Sequence, residues 1–97
     1  MSDQHHQSDL KKALEAMLDH YKLRGKYTQA RVRQLWPKLM GPAINKYTTE
    51  VKVYRKNLYV TLSSAALRQE LSMGTERIRD LINEELGEEY LEKVVIR

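Results

Sequence analysis

Two short runs of alternating character, Thr48 to Tyr54 and Leu58 to Leu62, lie either side of Arg55-Lys56-Asn57, and this pairing constrains the chain more than any other feature. In the first run Thr49, Val51 and Val53 alternate with Glu50, Lys52 and Tyr54. In the second, Leu58, Val60 and Leu62 alternate with Tyr59 and Thr61. A period of two is what a strand with one dry and one wet face requires. The connection is expected to be a three-residue turn whose last position is left-handed, a conformation that Asn57 tolerates better than other non-glycine residues. Ser63-Ser64 then offers a capping hydroxyl directly before Ala65-Ala66-Leu67-Arg68-Gln69-Glu70-Leu71, so the hairpin feeds a helix almost without a loop.

Before the hairpin the period changes to that of a helix. From Ser8 or Asp9 as cap, one helix is expected through Leu10, Leu14, Met17, Leu18 and Tyr21, with Gly25 as its stop. Thr28 opens a second helix carrying Val32, Leu35, Trp36, Leu39 and Met40 on one face. Pro37 either kinks this helix at Trp36-Pro37 or occupies the first turn of a restarted one. Gly41-Pro42 closes it, and Ala43 to Tyr47 adds one more turn. Trp36 lies on the apolar stripe, which favours a core anchor over a stacking platform for a base.

After the hairpin, Leu67, Leu71, Ile78, Leu81, Ile82 and Leu86 keep the helical period across Gly74. One helix from Ser64 to Leu86 is the simpler expectation, and a break at Gly74 with Thr75 as a new cap is the alternative. Gly87 is the stop. The acidic connection Glu88 to Glu92 leads to Lys93-Val94-Val95-Ile96-Arg97, a short third strand set against the hairpin. The order helix, helix, strand, strand, helix, strand describes an α+β domain with a three-stranded sheet packed against helices.

At 97 residues the chain has room for one core. Residues 1–7 are polar and aperiodic, so they are expected to form a disordered tail ahead of a single domain over residues 8–97. The tail's His5-His6 pair has no further ligand at metal spacing, and neither a metal nor a cofactor is expected. Cysteine is absent, which is compatible with a reducing compartment. No run approaches a membrane span or a signal-peptide core, so a soluble, cytoplasmic protein without membrane contact is expected. Nucleophile–base pairs, paired carboxylates in a cleft and phosphate loops are missing, which argues against an enzyme and against a small-molecule substrate.

Charge is unevenly placed. Residues 1–62 carry a net +7 and residues 63–97 a net −3, and between His20 and Thr49 there is no carboxylate at all. That stretch holds Lys22, Arg24, Lys26, Arg31, Arg33, Lys38 and Lys46; the hairpin adds Lys52, Arg55 and Lys56. Such a distribution suits a polyanion, although basic residues that simply solvate two helix faces would look the same. The candidate nucleic-acid contacts are therefore Lys22, Arg24, Lys26, Arg31, Arg33, Lys38, Lys52, Arg55 and Lys56. A second, acidic surface of Glu84, Glu85, Glu88, Glu89 and Glu92 can face a basic protein partner without competing for the same anion.

Trp36-Pro37, Gly41-Pro42 with Ile44, the hairpin, Ser63-Ser64-Ala65 with Gln69-Glu70-Leu71, and Leu81, Asn83 and Leu86-Gly87 before a closing strand resemble, in that order, the DciA family. The resemblance covers about Leu10 to Arg97. It implies a KH-like domain whose members recruit or load the DnaB-type replicative helicase of bacteria and bind DNA, with single strands and forked ends as ligands. Many members continue into a basic, disordered tail that takes part in helicase contact, whereas this sequence stops directly after its last strand. Asn57 also stands where the family usually has a turn glycine. Gly25, Gly41, Gly74 and Gly87 never form the Gly-x-x-Gly loop with which true KH modules clamp nucleic acid, so binding through that cradle is not expected. The alternative is a protein-interaction module with no nucleic-acid role, built on the acidic helix or an uncovered sheet edge.

Overall fold

A computed structural model describes the chain from residue 2, with side chains from residue 8 onward. The tail expected over residues 1–7, with His5 and His6, therefore lies outside the described residues as far as its side chains are concerned. The elements are α1 (Ser2–His20), α2 (Arg24–Lys46), β1 (Thr48–Tyr54), β2 (Asn57–Leu62), α3 (Ala65–Ser72), α4 (Thr75–Leu86) and β3 (Lys93–Ile96). The fold is α+β, with four helices and a mixed three-stranded sheet in the order β1-β2-β3.

The expected hairpin forms, with two adjustments. Tyr54 pairs with Asn57, so the turn is two residues long and not three. Its left-handed positions are Arg55 (φ 48°) and Lys56 (φ 65°), and Asn57 is the first residue of β2. Two successive positive φ values mark the type I′ turn, whose twist follows that of the strands, so strand geometry overrides the preference of Asn for the left-handed position. The second adjustment is a bulge between Thr48 and Glu50. Thr49, expected inward, is exposed, and Thr48 turns to the core side in its place. There the Thr48 hydroxyl accepts a hydrogen bond from Trp36 Nε1 at 3.1 Å and donates to the Ile44 carbonyl at 3.0 Å.

β3 lies parallel to β2, with Leu58 opposite Val94 and Val60 opposite Ile96. A parallel neighbour requires a crossover, supplied here by α3, α4 and the acidic connection. Asn83 fixes the return: its side-chain amide donates to the Leu91 carbonyl at 3.0 Å and accepts from the Leu91 N–H at 2.8 Å. Val53, Leu58, Val60, Leu62 and Val94 face the helices and meet Val32, Leu35 and Trp36 of α2, Ile78, Ile82 and Leu86 of α4, and Leu91. Trp36 is wholly buried, in agreement with the anchor role expected for it.

The helices depart further from expectation. α1 runs through Ser8 and Asp9 rather than being capped by them, and ends before Gly25. Lys22 adopts φ 57° and the Leu23 N–H reaches back to the Leu18 carbonyl at 2.8 Å, so the chain reverses at Lys22 and Gly25 falls in the first turn of α2. Thr28, expected as a cap, lies inside α2 with its hydroxyl donating to the Arg24 carbonyl. α2 passes Pro37 without losing helical dihedrals and breaks at Gly41 (φ 83°, ψ 172°), after which Pro42 opens the last turn. The apolar stripe of α1 is buried only at Leu18; Leu10 is 70% exposed, Met17 50% and Tyr21 65%.

The single helix expected over Ser64 to Leu86 is two helices separated by Met73-Gly74. Ser64 caps α3 as expected, its hydroxyl accepting from the Leu67 N–H at 3.2 Å. Gly74, not Thr75, is the cap residue of α4. α4 buries Ile78, Ile82 and Leu86, whereas α3 has no fully buried residue. The break lets α4 turn its stripe onto the sheet and α2 while α3 stays at the rim, which a continuous rod through both could not do. Gly87 stops α4 in the left-handed conformation (φ 78°), as expected.

Candidate nucleic-acid interface

The basic residues of the first half fall into separate groups. Arg24 is held by two carboxylates of α1, Glu15 at 3.0 Å and Asp19 at 3.3 Å. The stretch that lacks carboxylates in sequence is thus partly neutralised in space. Arg31 reaches the Glu85 carbonyl at 3.5 Å, which places it beside the C-terminal end of α4 and its acidic residues. Lys22, Lys26, Arg33 and Lys38 are exposed, Lys22 at the α1–α2 corner and the others along α2.

Arg55 and Lys56 form the turn end of the hairpin with Lys52 two pairs away, all exposed, and the Arg55 guanidinium lies 5.4 Å from the centre of the Tyr54 ring. Arg55 and Lys56 both hold left-handed φ, which for a residue with a Cβ costs roughly 1–2 kcal/mol each in the absence of other support. Two long cations therefore stand where Asn-Gly would be more stable. Replacing them together, Arg55→Asn with Lys56→Gly, is expected to raise the unfolding free energy by about 1–2 kcal/mol in urea titrations. An unchanged or lowered midpoint would show that the turn carries no strain.

The five acidic candidates also divide. Glu84 and Glu85 sit in the last turn of α4, which contains no basic residue, and Glu88 and Glu89 follow the Gly87 stop. Carboxylates at this end oppose the helix dipole, an arrangement that a basic partner would relieve. Glu92 is elsewhere: its N–H donates to the Lys56 carbonyl at 2.9 Å, so it belongs to the neighbourhood of the hairpin tip. Tyr90, between them in sequence, is half-buried against the core. Burial pushes its phenol pKa above the ordinary value and the charge of Glu88 adds to this, against an opposing hydrogen bond to Gln29.

Sequence reasoning missed the side of the sheet that faces away from the helices. The register sets Lys52, Tyr59 and Val95 in one row and Tyr54, Asn57 and Lys93 in the next, both alternating with the inward row Val53, Leu58 and Val94. Arg97 extends the ladder, its N–H donating to the Val60 carbonyl at 2.8 Å, and its guanidinium lies 4.9 Å from the centre of the Tyr59 ring. Lys93 and Arg97 become neighbours of the hairpin only once β3 has paired with β2. The sequence signals for this face were the outward phases of Lys52, Tyr54 and Tyr59.

Among the described residues no group of three or more His, Asp or Glu side chains is placed to hold a metal ion, and no helix is long and apolar enough to cross a membrane. No curated protein and no solved structure matches the chain. The family model described as "Dna[CI] antecedent, DciA" matches residues 9–96. With nearly the whole domain inside that match, the chain belongs to the DciA family.

Proposed function

We propose that this protein is a non-enzymatic, nucleic-acid-binding adaptor of bacterial DNA replication, working in the cytoplasm, that recruits or loads the DnaB-type replicative helicase. The observation that carries this reading is the family match over residues 9–96. Two surfaces of opposite sign support it, since an adaptor must hold two partners at once. The cations at the hairpin end take single-stranded or forked DNA, and the exposed cations of α2 draw it in over a longer range. Glu84, Glu85, Glu88 and Glu89 at the end of α4 meet the helicase. The domain is KH-like in outline, and it binds without a Gly-x-x-Gly clamp.

The test mixes the purified protein with the cognate helicase and measures complex formation at low salt and helicase loading on a single-stranded circle. Loading above the helicase-only level is expected. Changing Glu84, Glu85, Glu88 and Glu89 together to Gln is expected to abolish the gain while DNA affinity stays the same or rises. Equal loading without the protein, and no complex at low salt, would sink the loader reading.

A second reading, a protein-interaction module with no direct nucleic-acid role, is favoured by the exposed apolar side of α1 and the α1–α2 corner, where Leu10, Met17, Tyr21 and Leu23 lie open. DNA affinity that is low and insensitive to salt would select it.

A further inference from the structure

The helices cover one face of the sheet and leave the other open. We propose that this open face is a stacking platform for single-stranded DNA, with Tyr59 at its centre. The inference deepens the DNA-binding part of the proposed function, on which it rests, and assigns that binding to residues of β2 and β3 not otherwise implicated.

Tyr59 stands on the central strand, between Lys52 on β1 and Val95 on β3. Tyr54, 54% exposed, lies in the adjacent row beside the hairpin turn. Around these rings stand Lys52, Lys93 and Arg97, with Arg55 and Lys56 at the rim. The carboxylates at the margins are Glu50, paired opposite Thr61, and Glu92, at the foot of β3. Aromatic rings on a sheet with cations spaced around them match what a single strand offers: flat base faces at close intervals, with a phosphate between each pair. Tyr59 is half-buried with the Arg97 guanidinium over its ring, so a base meets the guanidinium plane with the ring supporting it from behind. Strands lie about 4.8 Å apart, so a face three strands wide accommodates two or three bases. A duplex keeps its base faces inside its own stack and can offer this surface only phosphates.

The charge also selects the occupant. An acidic peptide would satisfy the cations and leave the rings unused, and an apolar peptide would bury Lys52, Lys93 and Arg97 without partners. Only a ligand that alternates flat aromatic groups with negative charge uses both.

The test titrates the whole protein with a fluorescein-labelled oligothymidylate of about 12 nucleotides at low salt. Tyr59→Ala is expected to weaken binding about 5- to 150-fold, the range that one lost base stack represents. Tyr59→Phe, which retains the ring, is expected to bind within about two-fold of the parent, and a duplex of equal length to bind more weakly than the single strand. Backbone amide shifts of the unaltered protein on adding the oligonucleotide give a measure that does not depend on any variant folding. They are expected to concentrate at Lys52, Tyr59, Lys93 and Val95. Shifts confined to α1 and α2, or a folded Tyr59→Ala variant that binds like the parent, would overturn the platform and leave DNA binding by the helix cations standing. An unaltered protein with no affinity for the oligonucleotide would overturn the platform and the DNA-binding reading together.

Discussion

Trp36→Ala is expected to lower the unfolding free energy by about 3–5 kcal/mol, the range seen when a fully buried large aromatic is truncated. Trp36 is wholly enclosed between α2 and the sheet, in contact with the cluster that contains Val32, Leu58, Val60 and Ile82. Removing it leaves a void that branched neighbours already in close packing cannot fill. It also strips the Thr48 hydroxyl of the donor at 3.1 Å. Thr48 sits at the β-bulge that starts the hairpin, so the loss loosens the junction of α2 and β1 as well as the core. For a domain of this size a loss of that order approaches the whole folding free energy. Urea unfolding followed by far-ultraviolet circular dichroism measures it. A variant with parental stability and weakened DNA binding would show instead that the indole reaches a base, which its burial argues against.

The second large effect is on salt. With about four phosphates neutralised, and a logarithmic slope near −0.7 per contact for single strands, affinity for an oligonucleotide is expected to fall roughly fifty-fold between about 50 and 200 mM salt. The structure changes which cations deliver that slope. Arg24 is already engaged by Glu15 and Asp19, and Arg31 lies beside the end of α4, so neither is an open charge in the way its sequence neighbours suggest. Lys52, Arg55, Lys56 and Lys93 converge on one end of the open sheet face. Their joint replacement by Gln is expected to flatten the slope nearly to zero, each lost contact removing about 0.7. Replacing Lys22, Lys26, Arg33 and Lys38 is expected to weaken long-range attraction and leave most of the slope in place. Fluorescence anisotropy at several salt concentrations distinguishes the two sets, and a flat response from the unaltered protein would refute phosphate contact altogether.

The hairpin was legible in the sequence because its cues are local: alternation over adjacent residues fixes which side of each strand is dry, and Leu58, Val60 and Leu62 are buried as that alternation requires. Ser64 and Gly87 were legible for the same reason, since a capping hydroxyl and a left-handed stop act within one turn of their own position. The stripe of α1 was misleading. Spacings of three and four state that a helix has an apolar side and say nothing of whether another element reaches it, and only Leu18 finds cover. The helix starts were displaced because Lys22 took the left-handed position expected of Gly25, and an unfavourable φ at one residue is tolerated where the packing of α2 against α4 and the sheet sets the corner.

The sequence by itself determined the composition of the layers: an antiparallel hairpin with one dry face, a tryptophan that had to be inside, a short β-branched strand that needed a neighbour, and the family to which the ordered motifs belong. Only the tertiary structure decided that Gly74 breaks the C-terminal helix, that the turn is strained at two cations, that Glu15 and Asp19 neutralise Arg24, and that Lys93 and Arg97 stand beside Tyr59. The physical reason is distance along the chain. Periodicity and capping are set by backbone geometry within a few residues, whereas Arg24 meets Glu15 and Asp19 only after the chain has reversed at Lys22, and the sheet face joins residues tens of positions apart only after the crossover has laid β3 along β2.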